Sequence, residues 1–323
     1  MMKFTSRMAE DLKNMIDLKV ATNHHESTYL ARAMVFDRFC NERFPDEDVV
    51  TEAMVLTTVK DALDKRTRNT AHSMIAFIRI FATYQRAIGK KPFIPSVRML
   101  SGGSMFIPYI LSDQELSDLF HEIDSCNKDD RFMQMLLSTY FRMTYTCGLR
   151  PYEARTLKRI NVDLDSGELR IINTKWNRSR TIIMSDDMRR LAQKYAMLRD
   201  HKYHESELFF PSSDGSLFSA EDIQRRFKKF YASSRPEVPK ELLPAVRVYD
   251  LRHRFATAVM SNWLDMKIDI NARLPYLQAY MGHNSIESTV YYIHLLPENL
   301  ARSSGIDWDA LNSIVPEVEP WEE

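Results

Sequence analysis

Apolar side chains recur at three- and four-residue steps through Met74, Phe77, Ile78, Phe81, Tyr84 and Ile88. That spacing is the period of one helix face. It obliges the segment to bury an apolar stripe against neighbouring helices. Gly89 stands where a helix C-cap glycine belongs, and Pro92 follows it. Leu30, Met34, Phe36 and Phe39 mark an earlier helix that stops before Pro45. Residues 1–100 therefore read as a helical domain, with a basic helix–loop stretch from Lys60 to Arg68 between its helices.

Pro92, Pro95, Gly102, Gly103 and Pro108 then interrupt the helical pattern, as an interdomain linker does. The linker is set at 101–110, with a second domain over 111–304 and a tail over 305–323. Ser112 and Glu115 have the spacing of a capping box and open a new helix. Helical spacing continues through Met133–Tyr145. From Asn161 to Ile172 the pattern changes to period two around Asp165-Ser166-Gly167, a hairpin turn, and Thr181–Met184 reads as a third short strand. Beyond Asp186 the chain returns to helix, with a loop at 210–216. The expected fold is mainly α with a small antiparallel β-sheet: a helical N-terminal domain followed by an α+β domain.

Charge is segregated. The 323 residues carry 44 Lys and Arg against 44 Asp and Glu, a net of zero. Residues 51–100 hold nine basic against three acidic side chains, and 151–200 hold eleven against seven; 301–323 hold one against six. A nucleic-acid ligand requires local positive charge, not a positive average, so two basic segments permit one. Cys40, Cys126 and Cys147 are far apart and form neither a metal-ligand spacing nor a disulfide framework. A reducing cytoplasm is the expected location. No apolar run is long enough to span a bilayer.

Five polar clusters could carry chemistry. Cys147-Gly148-Leu149-Arg150 is followed by Glu153, three residues beyond Arg150 on the same helix side. Lys175 lies between two strands in the loop 173–180 with Arg178 and Arg180. Tyr249-Asp250-Leu251-Arg252-His253 places Tyr249 and Arg252 three apart, with Asp250 expected as an N-cap. Met281-Gly282-His283 sits at a helix boundary. Thr289-Val290-Tyr291-Tyr292-Ile293-His294 completes the set. Taken singly, a surface ion pair or an exposed hairpin lysine would account for the first two.

In order, these clusters resemble the tyrosine recombinase (phage integrase) family. Its members carry Gly-Leu-Arg-x-x-Glu, a hairpin lysine, His-x-Leu-Arg-His, Leu-Gly-His and Thr-x-x-Tyr-x-His. The nine residues from His283 to Tyr292 match the family interval. The resemblance covers about 110–300, and the helical domain before it is similar in place to the family's core-DNA-binding domain. One departure is clear: Tyr249 stands where the family has histidine. A phenol donates a hydrogen bond but is a poor base near neutral pH. The stretch at 265–273 also reads as an insertion, expected as a surface loop or helix extension.

The resemblance implies DNA cleavage and rejoining. Arg150 and Arg252 would hold the phosphate through planar guanidinium forks, and His283 would add a donor. Tyr249 would complete the catalytic set. Lys175 would protonate the leaving 5′ oxygen. Tyr292 would attack, forming a 3′-phosphotyrosine that stores the bond energy, so no cofactor or metal is expected. Tyr291 competes with it, but adjacent helical side chains diverge by roughly 100°, and the spacing favours Tyr292. Glu153, His253 and His294 are expected in supporting roles. Lys60, Lys65, Arg66, Arg68, Arg178 and Arg180 are expected to contact DNA phosphates.

The implied partners are double-stranded DNA with inverted-repeat core sites and copies of the same chain in a tetramer, with a nucleoid-associated cytoplasmic location. The implied role is integration or transposition of a mobile element. Chromosome-dimer resolution, or a catalytically silent DNA-binding relative, are the alternatives. The tail is expected to dock on a neighbouring protomer.

Overall fold

Among the described residues, four helices carry the first of two compact units, Met1–Ile107 and Pro108–Glu323. The computed structural model describes residues 4–22, 24, 26–65, 68–96, 99, 108–125, 130–172 and 179–296, without the side chains of 27, 62, 63, 65, 68, 69 and 294. Arg66, Lys175, Arg178 and the tail lie outside the described residues, as do the side chains of Lys65, Arg68 and His294.

The first unit comprises α1 (Ala9–Ala21), α2 (Glu26–Arg43), α3 (Glu52–Lys65) and α4 (Arg68–Ala87). The stripe of α4 drives its packing: Phe77 and Phe81 both meet Phe36 of α2 edge-on, with ring centroids 6.2 and 6.1 Å apart. Ile88 belongs to the sequence stripe but is exposed, because α4 ends at Ala87. Gly89 takes φ +90°, and Lys90 N–H reaches back to the Gln85 carbonyl at 3.0 Å, closing the helix end. Two polar anchors sit in this unit. Buried Asp37 accepts from Ser6 N and Oγ at 3.0 and 2.6 Å. Buried Gln85 accepts from Val50 N at 3.0 Å and donates to Asp11 at 2.9 Å. Cys40 is buried in this core. Lys60 is exposed on α3.

The second unit opens with α5 (Asp113–Ser125). Its capping box forms in full: Glu115 Oε2 accepts from Ser112 N at 2.7 Å, and Ser112 Oγ accepts from Glu115 N at 3.2 Å. Then follow α6 (Arg131–Thr146), α7 (Pro151–Arg155), β1 (Glu168–Ile171), β2 (Arg180–Ile183), α8 (Asp186–Lys202), α9 (Ala220–Ser233), α10 (Val248–Asp265), α11 (Ile270–Met281) and α12 (Glu287–Val290). Helix α6 runs through the core, burying Leu136, Leu137, Tyr140, Phe141 and Met143 against α8, α9 and α10. Cys147, at its end, is buried in the same core.

The sheet is a two-stranded antiparallel pair, with Glu168 opposite Ile183 and Ile171 opposite Arg180. The expected strand at 181–184 forms as β2, whereas the one expected before the Asp165-Ser166-Gly167 turn is reduced to a bridge between Val162 and Leu169, because Arg159–Asn161 coil into a 3-10 turn. Asp163 Oδ1 accepts from the backbone N–H groups of Asp165 and Ser166, and Gly167 completes the turn with φ +81°. The helical region expected beyond Asp186 is interrupted at 203–219, more widely than the expected 210–216 loop, and again at 234–247, where the chain makes only a 3-10 turn at Lys240–Leu242. The 265–273 stretch is a tight joint: α10 ends, Lys267 takes φ 56°, and Asp269 caps α11 through its contact with Asn271 N at 2.9 Å. A second apolar cluster joins Met260, Leu264, Leu274, Leu277, Val290 and Ile293, so that α10, α11 and α12 pack as one block.

Candidate active site

Two left-handed glycines frame the site. Gly148 has φ +56° at the end of α6. A methyl group on it would fall 2.5 Å from the Phe255 ring, so only glycine fits. Gly282 has φ +63° and is the C-cap of α11. Each presents its carbonyl to an arginine from the other motif. Arg252 donates from Nη1 to Gly148 O at 2.6 Å, and Arg150 donates from Nη2 to Gly282 O at 2.6 Å.

Arg252 lies on α10 with no exposed surface. Its Nη2 serves both the Met281 carbonyl at 2.6 Å and His283 Nε2 at 3.0 Å. Its Nε is buried without a partner. Burial works against its charge, and so does the nearby charge of Arg150.

Because a guanidinium only donates, His283 Nε2 must accept from Arg252. Neutral imidazole then carries its proton on Nδ1, which donates to Thr289 Oγ1 at 2.8 Å. Burial pushes His283 down to about 3, reinforced by Arg252, Arg150 and Arg180. Thr289, fully buried at the start of the tyrosine segment, therefore fixes the tautomer.

Glu153 is buried between two cations. It accepts from Arg150 N and Nη1 at 2.9 and 2.7 Å, and from both terminal nitrogens of Arg180 at 2.9 and 2.8 Å. Burial alone would raise its pKa. The Arg180 and Arg150 contacts overcome that and hold it near 2. Arg180, expected to face a DNA phosphate beside Lys175, is instead turned inward onto this carboxylate, because a buried anion holding Arg150 calls for a second cation. Its Nη1 would lie 3.0 Å from a methyl group on Gly282.

Tyr292 is 2% exposed. Its ring stacks on His283 at 5.9 Å and 18°, and meets His253 at 5.5 Å. Burial pushes its phenol up to about 12, opposed by the Arg252 charge. Tyr291 is half-buried beside it, with ring centroids 6.1 Å apart. Tyr249 is half-buried, 4.9 Å from the His253 ring. It also borders a cleft of about 390 Å³ lined by Tyr152, Arg155, Gln224 and Arg247. Asp250 is a cap, though not at the expected position. It occupies N3 and accepts from Arg247 N, the N-cap residue, at 2.7 Å.

Sequence reasoning missed the backbone carbonyls of Gly148, Met281 and Gly282, Thr289 as the partner of His283, and Arg180 as the second partner of Glu153. Among the described residues no cluster of acidic, histidine and cysteine side chains could hold a metal ion. Nor is any described helix long and apolar enough to cross a membrane.

Residues 110–299 match the phage integrase family. Over 303 residues the chain is 27% identical to a putative integrase/recombinase of Sinorhizobium fredii, spanning 91% of this chain and 93% of that one. A second putative integrase/recombinase of the same organism is 30% identical over 69% of this chain and 73% of its own. The XerH site-specific recombinase bound to palindromic difH substrate has the same fold, with TM-score 0.67 and 16% identity over 88% of this chain and 80% of that one. So does the Tn1549 transposon integrase in complex with transposon right end DNA, with TM-score 0.64 and 15% identity over 90% and 97%. The motif residues that converge on Tyr292 and the family match over most of the second unit agree: the chain belongs to the phage integrase family of tyrosine recombinases, enzymes that break and rejoin DNA at specific sites.

Proposed function

We propose that this protein is the recombinase of a mobile element and acts as a tetramer on double-stranded DNA with inverted-repeat core sites. The observation that carries the chemistry is the gathering of Arg150, Arg252 and His283 around Tyr292, from three separate helix ends. The mobile-element role is supported by similarity along nearly the whole chain to a putative integrase/recombinase.

A phosphodiester resists attack by an anionic nucleophile, so the site must stabilise the added charge of the transition state. In this reading Arg150, partly exposed, meets the phosphate with its free edge. Arg252 offers its unpartnered Nε. His283 gains a proton affinity it lacks in the free chain once an anion offsets the arginines around it. Tyr292 attacks phosphorus, Lys175 protonates the leaving 5′ oxygen, and Tyr249 donates a hydrogen bond to a phosphate oxygen. The first unit is the core-DNA-binding domain, with Lys60, Lys65, Arg66 and Arg68 toward phosphates. The segment 305–323 docks on a neighbouring protomer.

The test begins with duplexes selected for binding from a random-sequence library. A nicked suicide version should trap a covalent protein–DNA adduct that Tyr292→Phe abolishes and Tyr291→Phe retains. The opposite pattern would move the nucleophile to Tyr291, and no adduct with any selected duplex would favour a silent DNA binder.

A further inference from the structure

His253 follows Arg252 on α10 and projects its ring between two tyrosines. The ring lies 5.5 Å from Tyr292 and 4.9 Å from Tyr249, centroid to centroid. Its Nδ1 is buried and has no hydrogen-bond partner. A buried polar atom left unpaired costs stability, and such an exception in a site asks for a functional account.

The attack on phosphorus also needs a proton acceptor, and the residues placed around Tyr292 so far supply none. A phenol that burial pushes up to about 12 supplies almost no phenolate near neutral pH, so the proton must leave as the bond forms. The other titratable groups described around Tyr292 are committed. His283 Nε2 accepts from Arg252 and its Nδ1 is held by Thr289. Glu153 is saturated by two arginines. Asp250 caps α10 and pairs with Arg247. Tyr249 stands where the family has histidine, and a second phenol is no better a base than the nucleophile. His253 is neutral, since burial, then Arg247 and Arg252, lower it to about 4.

We propose that the His253 imidazole is the proton acceptor for Tyr292, taking over the role that histidine at position 249 would otherwise fill. In cleavage the Tyr292 O–H bond breaks, oxygen bonds to phosphorus, and the proton passes to a ring nitrogen of His253. The P–O5′ bond breaks, and O5′ takes its proton from the general acid, Lys175 in the reading above. In rejoining, a 5′-hydroxyl attacks phosphorus and Tyr292 leaves, recovering its proton from the His253 imidazolium. The inference rests on Tyr292 as nucleophile.

The experiment measures single-turnover cleavage by the full chain on a selected, nicked duplex, made once with an ordinary phosphodiester and once with a 5′-bridging sulfur. A thiolate leaves without needing a proton, so sulfur relieves the loss of an acid but not of a base. His253→Ala should cleave the ordinary duplex at least about 100-fold more slowly, with unchanged duplex affinity. Sulfur should not restore the rate, and added imidazole should. Lys175→Ala should show the reverse pattern. His253→Gln, which keeps the volume but cannot take the proton, should be equally slow and covers the case in which the alanine variant does not fold.

A rate within threefold of wild type for either His253 variant overturns the proposal. So does restoration by sulfur, or a slow His253→Ala that imidazole leaves unchanged, which would make His253 a positioning residue. An adduct formed by Tyr292→Phe would instead remove the nucleophile on which the inference rests.

Discussion

Arg150 donates to the carbonyl oxygen of Gly282, 132 residues further along the chain, at 2.6 Å. The reciprocal contact runs from Arg252 back to Gly148, 104 residues earlier, also at 2.6 Å. Each arginine is therefore placed by the glycine turn of a different motif. The two turns and the two guanidiniums form one closed frame. Four outcomes follow from that frame.

Gly148→Ala should destabilise the second unit by about 3 kcal/mol, combining left-handed strain with overpacking. The added methyl group meets the Phe255 ring at 2.5 Å. In a Phe255→Leu background the same substitution should cost at least about 1 kcal/mol less. Urea unfolding of the four proteins measures this coupling. Strict additivity would mean that the ring is not what excludes the methyl group.

Glu153→Gln removes the anion shared by Arg150 and Arg180. Two guanidiniums would then converge on a neutral amide. The expected loss is about 3 kcal/mol, with cleavage slowed at least tenfold because Arg150 is no longer held. Denaturant unfolding and adduct formation read the two effects separately. A loss below about 1 kcal/mol would show that solvent already screens this carboxylate.

Thr289→Val keeps the shape of the side chain but leaves the Nδ1 proton of His283 without an acceptor. Stability should fall by about 1–3 kcal/mol, and cleavage about tenfold. Thr289→Ser retains the oxygen and should keep most of the rate. Equal rates in the valine and serine variants would show that His283 does not depend on this contact.

Acid should weaken the second unit in two stages. His253 and His283 are depressed to about 4 and about 3, below an ordinary value near 6.5. The unfolded chain then binds more protons, so their contribution is complete above pH ~6.5 and is lost as pH falls toward 4 and 3. The slope is at most about 1.4 kcal/mol per pH unit for each. Glu153, held near 2, adds a second loss below its ordinary value near 4.5. Melting temperatures measured between pH 7 and 5 should fall, and the His253→Asn, His283→Asn double variant should flatten that slope. A wild-type profile level across this window would contradict the burial of both rings.

Local signals were the most legible in the sequence. Ser112 and Glu115 lie three residues apart, and their capping box formed as spaced. The Asp165-Ser166-Gly167 turn was legible for the same reason. The strand expected before it was not, because period-two alternation around Val162 competes with the tight 3-10 turn just upstream. Arg180 illustrates a different limit. Its basic neighbours Lys175 and Arg178 suggest an outward phosphate contact, yet its side chain satisfies a carboxylate 27 residues away. The carbonyl acceptors of both active-site arginines left no trace in residue identity, since every residue carries the same backbone group.

Cys40 and Cys147 lie in the separate cores of the two units. Burial raises both thiols, Cys147 to about 12 and Cys40 further, so neither reacts as a thiolate while its core is closed. With Cys126 replaced by serine, alkylation of each remaining thiol becomes a clock for the opening of its own unit. Mass spectrometry of the two labelled peptides would then time the breathing of each half of the molecule separately, in one tube.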